Sequence, residues 1–242
     1  MLFRSIVMYN IDGHALMKTL QSEKSIIDCK FTLYCPALFR EVIDSHYQSL
    51  NLTESLCIFL NAEKIKKAGE SGGGASGELF MFSHDGKLIL KTANHDEVEV
   101  FKNIMLSYKN HLKSNHKSQI GKILGLFDFN FEGSDRSIKL ILMENLFTLS
   151  GECILRKYDM KGSKHSRKVL KTYDNIKTDT IVDKIMKDTD FLEIDKEICL
   201  SKSKRDELVK SIEADVAYFT SHQIIDYSII LAVVILYNVG RY

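Results

Sequence analysis

The stretch "AGESGGGASGELFMFSHDGKLILKTANHDE", Ala68 to Glu97, carries the reading on which the fold depends. Gly72, Gly73, Gly74 and Gly77 crowd its first half. Apolar side chains then alternate across Leu79, Phe80, Met81 and Phe82, Asp85-Gly86 supplies a two-residue hairpin signal, and Lys87 to Thr92 forms the return strand. Asn94 is a residue type that caps helices, and Val98, Phe101, Ile104, Met105, Tyr108 and Leu112 follow along one helical stripe. The order is glycine cluster, strand, turn, strand carrying Lys91, helix. The cluster is either a slack linker or a loop whose backbone amides approach phosphate, which glycine permits at close range and at positive φ.

Elements on either side build an α+β chain. Residues 36–50 place Leu38, Phe39, Val42, Ile43 and Tyr47 on one face of a helix with Pro36 in its first turn. Strand-like alternation returns from Ile123 to Phe131, a turn at Gly133-Ser134-Asp135 follows, and "IKLILM" is a further strand. Residues 154–160 read as another strand, Ser163 to Lys187 is polar and basic, and Ser203 opens a helix with Leu208, Ile212, Val216 and Phe219 in phase. "SIILAVVILYNVG" is shorter than the roughly 20 residues that span a bilayer and reads as a buried strand. The predicted seam between two lobes lies around Met143 to Gly151.

Composition bounds the function classes. Apolar residues at 45% and charged ones at 27% are enough for a normal core, so the chain is not a disordered tail. A net charge of +1 provides no global field for nucleic acid. Five cysteines, never paired as C-x-x-C, point to reduced thiols, an intracellular protein and no zinc site. The first residues are too interrupted by polar side chains for a signal peptide.

In kinase-like small lobes a hairpin covers nucleotide phosphates, a strand lysine meets them, and an acid on the next helix holds that lysine. Helical phase puts Glu97 on the side of Phe101 and Ile104 and Glu99 opposite, so Glu97 is the expected partner of Lys91. G-x-x-x-x-G-K-[ST] does not occur, and no H-R-D-x-x-x-x-N or D-F-G stretch supports a protein kinase.

"KYDMKGSKHSRKV" (157–169) and "HQIIDYSII" (222–230) resemble the D-L-K-G-S and D-Y-S-L-L signatures of the phosphatidylinositol phosphate kinases. "YCPALFREV", "GASGELFMFSHDGKLILKT", "GKILGLF", "LILMENLF" and "KDTDFLE" match further stretches in order, so the resemblance covers about Cys29 to Leu231. It implies a two-lobed kinase-like fold, with an antiparallel-sheet small lobe at 29–145 and a partial mixed large lobe at 146–242, preceded by an extension at 1–28. It also implies ATP with Mg2+, a phosphoinositide monophosphate converted to the bisphosphate, and peripheral attachment to the cytosolic face of anionic membranes. Motif wording is divided between the branch acting on the 3-phosphate and the branches acting on the 4-phosphate and 5-phosphate, which implies a 4-phosphate 5-kinase-like or 3-phosphate 5-kinase-like reaction.

Residue by residue, the resemblance assigns Gly74, Ser76 and Gly77 to the phosphate-covering loop and Lys91 to the ATP phosphates. Met143, Glu144, Asn145 and Leu146 become the hinge beside adenine. Lys161 lies close to the transferred phosphate, Arg167 helps grip the lipid headgroup, and Asp226 orients the inositol hydroxyl and accepts its proton. Lys91, Lys161 and Asp226 are expected to converge in one cleft. The basic run Arg156, Lys157, Lys161, Lys164, Arg167, Lys168 and Lys171 is either a solvated face or a surface for an anionic bilayer.

Two departures are visible. Ala75 stands where the family's G-K-S-G loop has lysine, and no second metal-binding aspartate follows Asp226 in "LAVVILYNVGRY". The metal ligands are therefore unknown from the sequence. The expected fold is incomplete at the C-terminus, through a shortened chain, a catalytically inactive phosphoinositide-binding pseudokinase or scaffold, or a partner that completes the lobe.

Overall fold

The computed structural model describes residues 6–9, 14–22, 25–47, 50–57, 60–61, 79–131, 137–147 and 154–235. They fall into two compact units, one of Met1–His116 with Ile120–Asn145, the other of Lys117–Gln119 with Leu146–Tyr242. Helices, antiparallel pairing and one parallel strand pair make the chain mixed α and β, as expected. The Gly72–Gly77 cluster and the Gly133-Ser134-Asp135 turn lie outside the described residues.

The first unit is built on a seven-stranded sheet. Its strands are β1 (Ile6–Tyr9), β2 (His14–Ser22), β3 (Ser25–Leu33), β4 (Phe80–Phe82), β5 (Leu88–Ala93), β6 (Ile123–Phe131) and β7 (Ser137–Glu144). Their spatial order is β1-β2-β3-β6-β7-β5-β4. Residues 6–28, set apart in the sequence as an extension, contribute β1, β2 and the start of β3 to this sheet. The helices given in full among the described residues are α1 (Pro36–His46), the short α2 (Leu52–Ser55) and α3 (His95–Ser114). Pro36 sits in the first turn of α1, where its missing N–H costs nothing. Phe39 and Val42 of α1 and Val98, Phe101, Met105, Tyr108 and Leu112 of α3 are buried, as their spacing predicts. Phe101 stacks on Phe39 at 6.2 Å and meets Tyr108 edge-on at 5.5 Å. The Tyr108 hydroxyl accepts a hydrogen bond from the Ile123 N–H, 2.7 Å, which fixes the start of β6.

The β4–β5 connection differs from the two-residue hairpin expected at Asp85-Gly86. The last strand pair is Phe82–Ile89, and the Ser83 N–H bonds the Leu88 carbonyl, 3.0 Å, around a longer loop. The Asp85 carboxylate makes the difference. It accepts from the Ser83 and Ser55 hydroxyls, 2.6 and 2.7 Å, and from the Lys87 N–H, 3.2 Å. Gly86 takes the positive φ of 73° that the turn needs.

The second unit has a three-stranded sheet of order β10-β8-β9, with β8 (Ile154–Met160), β9 (Ile185–Lys187) and β10 (Ile229–Val234). β10 runs antiparallel to β8 and β9 parallel to it. Among the described residues it also has two helices, α4 (Asp188–Ile194) and α5 (Lys202–Ser221). One core cluster is Tyr158, Met186 and Phe191, with Met160, Leu170, Val182, Ile194, Leu231 and Val233 packed against them; Ile154, Leu155 and Tyr218 are also buried. β10, read from sequence as a buried strand, is an edge strand of half-buried residues with Ile229 exposed.

The buried stripe of α5 also differs from its apolar phase. Ser211, Asp215 and Tyr218 are buried, while Leu208, Ile212, Val216 and Phe219 are only partly covered. Asp215 explains this. Its carboxylate accepts from the Ser118 hydroxyl and the Gln119 N–H, both 2.7 Å, so a polar anchor sets the rotation of the helix. Its start differs as well: Ser201 is the N-cap residue, two positions before the predicted one.

Candidate active site

In the first unit, Lys91 lies on β5 between Phe80 of β4 and Ile141 of β7. Only three residues separate it from the start of α3, so the helix N-terminus lies close by. The Lys91 ammonium is 3.6 Å from Glu97 Oε1. Glu97 has a second task that the sequence reading missed: its Oε2 accepts from the Asn94 N–H, 2.9 Å, while the Asn94 side chain accepts from the Glu97 N–H, 2.8 Å. This is a reciprocal capping box, written in the spacing Asn-x-x-Glu. One carboxylate thus both caps the helix and meets the lysine.

The Met143–Leu146 segment is pinned at its strand end. Glu144 donates its N–H to the Lys122 carbonyl, 3.0 Å, and its Oε1 accepts from the Lys122 N–H, 2.7 Å. The Tyr47 hydroxyl donates to Glu144 Oε2, and burial together with this carboxylate pushes the Tyr47 phenol well above its ordinary value. Asn145 reaches the β4–β5 turn twice, through its N–H to the Lys87 carbonyl, 2.8 Å, and its amide to the Gly86 carbonyl, 2.7 Å. Met143 lies in register with Ile89 and Ile123, and Leu146 is exposed.

In the second unit, Lys161 follows directly on β8, and its ammonium lies 2.5 Å from Asp226 Oδ1. The way the chain delivers Asp226 can be read from the end of α5. The Ile224 N–H bonds the Phe219 carbonyl, 2.9 Å, and the Gln223 N–H bonds the Thr220 carbonyl, 3.1 Å. That is a Schellman closure, with Gln223 at φ 55° in the left-handed position that glycine normally takes. Asp226 itself has φ 62°, a region that aspartate tolerates better than most residues. Two left-handed non-glycine residues within four positions are a costly arrangement, of the kind that clusters at functional sites. The Phe219 ring packs on Tyr227 at 4.8 Å and fixes the far side of the turn.

The Lys161–Asp226 pair is not a stability device. Its side chains are 30% and 75% exposed, and such pairs contribute about 0–1 kcal/mol. Beside it lies a cavity of about 480 Å³ whose walls include Met160, Lys161, Phe191, Leu192, Tyr227 and Ile229.

Arg167, expected at a lipid headgroup, is turned inward instead. Its Nε donates to Asp188 Oδ2, 2.7 Å, its NH2 donates to the Asp159 carbonyl, and only 11% of the side chain is exposed. Arg156 likewise leaves the predicted basic face. It is buried in a two-pronged pair with Asp195, 2.9 and 2.6 Å, and also donates to the Thr178 and Thr180 carbonyls. Arg156 finds a carboxylate that matches its planar guanidinium fork, while Arg167 spreads its donors between the Asp188 carboxylate and the Asp159 carbonyl; a lysine would do neither as well. Lys161, Lys164, Lys168 and Lys171 remain on the exposed surface. Among the described residues no three His, Cys, Asp or Glu side chains gather as a metal site, and Asp226 Oδ1 is already on Lys161. These donors do not by themselves form a magnesium site. Gly74, Ser76 and Gly77 lie outside the described residues.

Residues 61–239 match the family model for Phosphatidylinositol-4-phosphate 5-Kinase. The chain belongs to this family. Within it, the chain is 33% identical over 210 residues to a probable phosphatidylinositol phosphate kinase of Dictyostelium discoideum, covering 84% of this chain and 28% of that protein. It is 29% identical over 213 residues to rat phosphatidylinositol 4-phosphate 5-kinase type-1 alpha, covering 85% and 36%. Phosphatidylinositol 4-phosphate 5-kinase 6 of Arabidopsis thaliana is 25% identical over 203 residues, covering 84% and 27%. The chain thus spans about a third or less of the length of these relatives. The stretches that carried the resemblance from Asn61 onward lie inside the 5-kinase match, including the Lys161 and Asp226 segments.

Sequence reasoning missed two members of this site. Asp188 and Asp190, in "KDTDFLE", organise the loop that follows Lys161. Their signal was present as two acids in the first turn of a short helix, where the helix dipole favours negative charge.

Proposed function

We propose that this chain is part of an ATP-dependent phosphatidylinositol phosphate kinase that moves the γ-phosphate of ATP onto a phosphoinositide monophosphate, giving the bisphosphate. The observation that carries this reading is the exposed Lys161–Asp226 pair, presented by a left-handed Asp226 in a chain of this family. The relatives' names support a 4-phosphate 5-kinase-like reaction; the mixed motifs keep a 3-phosphate 5-kinase-like one as the alternative.

Phosphoryl transfer asks a protein chiefly for positioning and charge compensation. Lys91, held by Glu97, neutralises ATP phosphate oxygens, and the backbone of Met143–Leu146 faces adenine. Gly74, Ser76 and Gly77 cover the phosphates. Lys161 leaves Asp226 for the transferred phosphate as substrate arrives, which frees the carboxylate to orient the inositol hydroxyl and take its proton. Magnesium accompanies the nucleotide. Arg167 frames the Lys161 loop rather than touching lipid. The exposed Lys164, Lys168 and Lys171 face an anionic membrane, each contributing about 1 kcal/mol near such a surface. Ile225, 85% exposed, supplies an apolar contact there. The protein is then peripheral on the cytosolic leaflet.

The test is transfer of radiolabelled phosphate from ATP to vesicles holding either phosphatidylinositol 4-phosphate or 3-phosphate. Lys91→Met and Asp226→Asn should each lower turnover by on the order of 100-fold. Undiminished transfer in both variants, or binding of ATP and lipid with no transfer by the unaltered chain, overturns the reading.

A further inference from the structure

The loop from Lys161 to Tyr173 has no regular secondary structure, yet two buried aspartates hold it at both ends. Asp188 takes the near end. Its Oδ1 accepts the Lys161 and Gly162 N–H groups, 3.0 and 2.8 Å, and its Oδ2 accepts Arg167 Nε, 2.7 Å. Asp190, with no exposed surface, takes the far end. It accepts the Val169 and Leu170 N–H groups, 2.9 and 3.1 Å, and the Tyr173 hydroxyl, 3.0 Å. Between them the Thr189 N–H donates to the Arg167 carbonyl, 3.0 Å. Three successive residues of α4 therefore clasp one loop.

The near-end contacts go beyond what holding a loop requires. One oxygen receives two consecutive amides, which fixes the peptide plane from which the Lys161 side chain leaves. Gly162 accommodates this at φ 71°. The lysine side chain has four rotatable bonds, so its reach to Asp226 depends on where its Cα is held. Burial alone would raise the Asp188 carboxyl, but the Arg167 guanidinium and the amide donors outweigh it and hold the group below the usual carboxylate range. Asp188 stays ionised, and a charged acceptor holds amides more firmly than a neutral one.

We infer that Asp188 is a positioning residue for phosphoryl transfer: it holds the Lys161–Gly162 backbone so that the Lys161 ammonium is kept within reach of Asp226 and, when substrate arrives, of the transferred phosphate, with Arg167 locking Asp188 in turn. This deepens the reaction proposed above and rests on it, but one arm of its test is independent of turnover.

Asp188→Asn keeps the shape and one neutral acceptor; Asp188→Ala removes both oxygens. In the first arm, isotope-labelled chain is compared by nuclear magnetic resonance. In Asp188→Asn the Lys161 and Gly162 amides should shift and exchange faster, and the Asp226 carboxyl carbon should shift with them. A Gly162 change that leaves the Asp226 carboxyl unmoved means a structural role only and overturns the inference. In the second arm, kcat per folded molecule should fall by about 10- to 100-fold, with KM for ATP and lipid little changed, because a displacement near 1 Å has effects of that size. Asp215→Asn, in the α5 anchor, should lower the melting temperature without that kcat loss. A kcat in Asp188→Asn that only tracks the folded fraction also overturns the inference. If the unaltered chain transfers no phosphate, the parent reading fails, and the Asp226 signal alone decides whether the clasp positions Lys161.

Discussion

Among the described residues, the buried side chains of the seven-stranded unit are chiefly apolar, leucines, valines and phenylalanines with Met105, Tyr108 and Ile141, beside the polar Ser55, Asn61, Ser83 and Asp128. In the three-stranded unit the largest fully buried side chain is Arg156, and Asp188, Asp190 and Asp215 are buried with it. The first unit spreads its apolar contacts over a broad sheet and two amphipathic helices. Among the described residues the second has fewer buried apolar side chains and a long irregular segment between β8 and β9, which carboxylates stitch into place. An apolar core tolerates many substitutions of similar volume, whereas a buried charge network fails when one member is removed. The second unit also carries the Lys161–Asp226 pair, so its irregular backbone must be held where chemistry is proposed.

The sharpest way to break the contrast is Asp195→Ala. It leaves the Arg156 guanidinium buried without its two-pronged partner and removes an acceptor from the Tyr158 hydroxyl. The expected cost is about 3–5 kcal/mol. The double variant Arg156→Met, Asp195→Leu should recover most of it, since apolar groups of similar volume replace such pairs well. Urea unfolding followed by circular dichroism would check both. A single-variant loss under about 1 kcal/mol would place the pair among ordinary surface contacts.

Acid sharpens the comparison next. Asp195 is pushed up by burial but pulled further down by Arg156 and Tyr158, and Asp188 behaves alike with Arg167. Both folded values lie below the ordinary one, near 3.9. Their stabilisation is therefore fully present above that value and is lost as pH falls through the lower folded values. Asp85 gives the first unit a similar liability, but in a surface turn. As pH falls from 6 through these lower folded values, hydrogen-exchange protection factors, corrected for the intrinsic pH dependence of exchange, should fall across residues 161–173 and 177–180, while in the first unit only the turn around Asp85 loosens. Equal protection loss in the β6–β7 ladder would remove the distinction.

The same contrast decides what was legible beforehand. Apolar periodicity foretold α1 and α3 with their buried residues, because in the first unit the hydrophobic effect chooses which face turns inward. Helical phase also paired Lys91 with Glu97, since only a short connection separates them. In α5 the same reasoning selected the wrong stripe, because Asp215 and its two hydrogen bonds set the rotation. The basic run was read as one surface, though Arg156 and Arg167 have carboxylate partners 39 and 21 residues further on. Such pairings depend on how the chain returns, and no local pattern announces them. The Lys161 and Asp226 segments were found by their resemblance to a family; their contact 65 residues apart was not visible in spacing.

The smallest expected effect separates the two tasks of Glu97. Asn94→Ala removes the side-chain acceptor of the α3 cap and should cost about 1 kcal/mol, a melting shift of roughly 2–4 °C for a protein of this size. Glu97→Gln keeps a side chain that can still reach back to the Asn94 N–H, as glutamine does in capping boxes, but removes the charge facing Lys91. It should cost only a few tenths of a kcal/mol, because the pair is partly exposed. If thermal melts show Glu97→Gln to be as damaging as Asn94→Ala, the ion pair carries the local stability. If it melts like the unaltered chain while phosphate transfer falls, the charge serves Lys91, and the two tasks of one carboxylate separate into structure and chemistry.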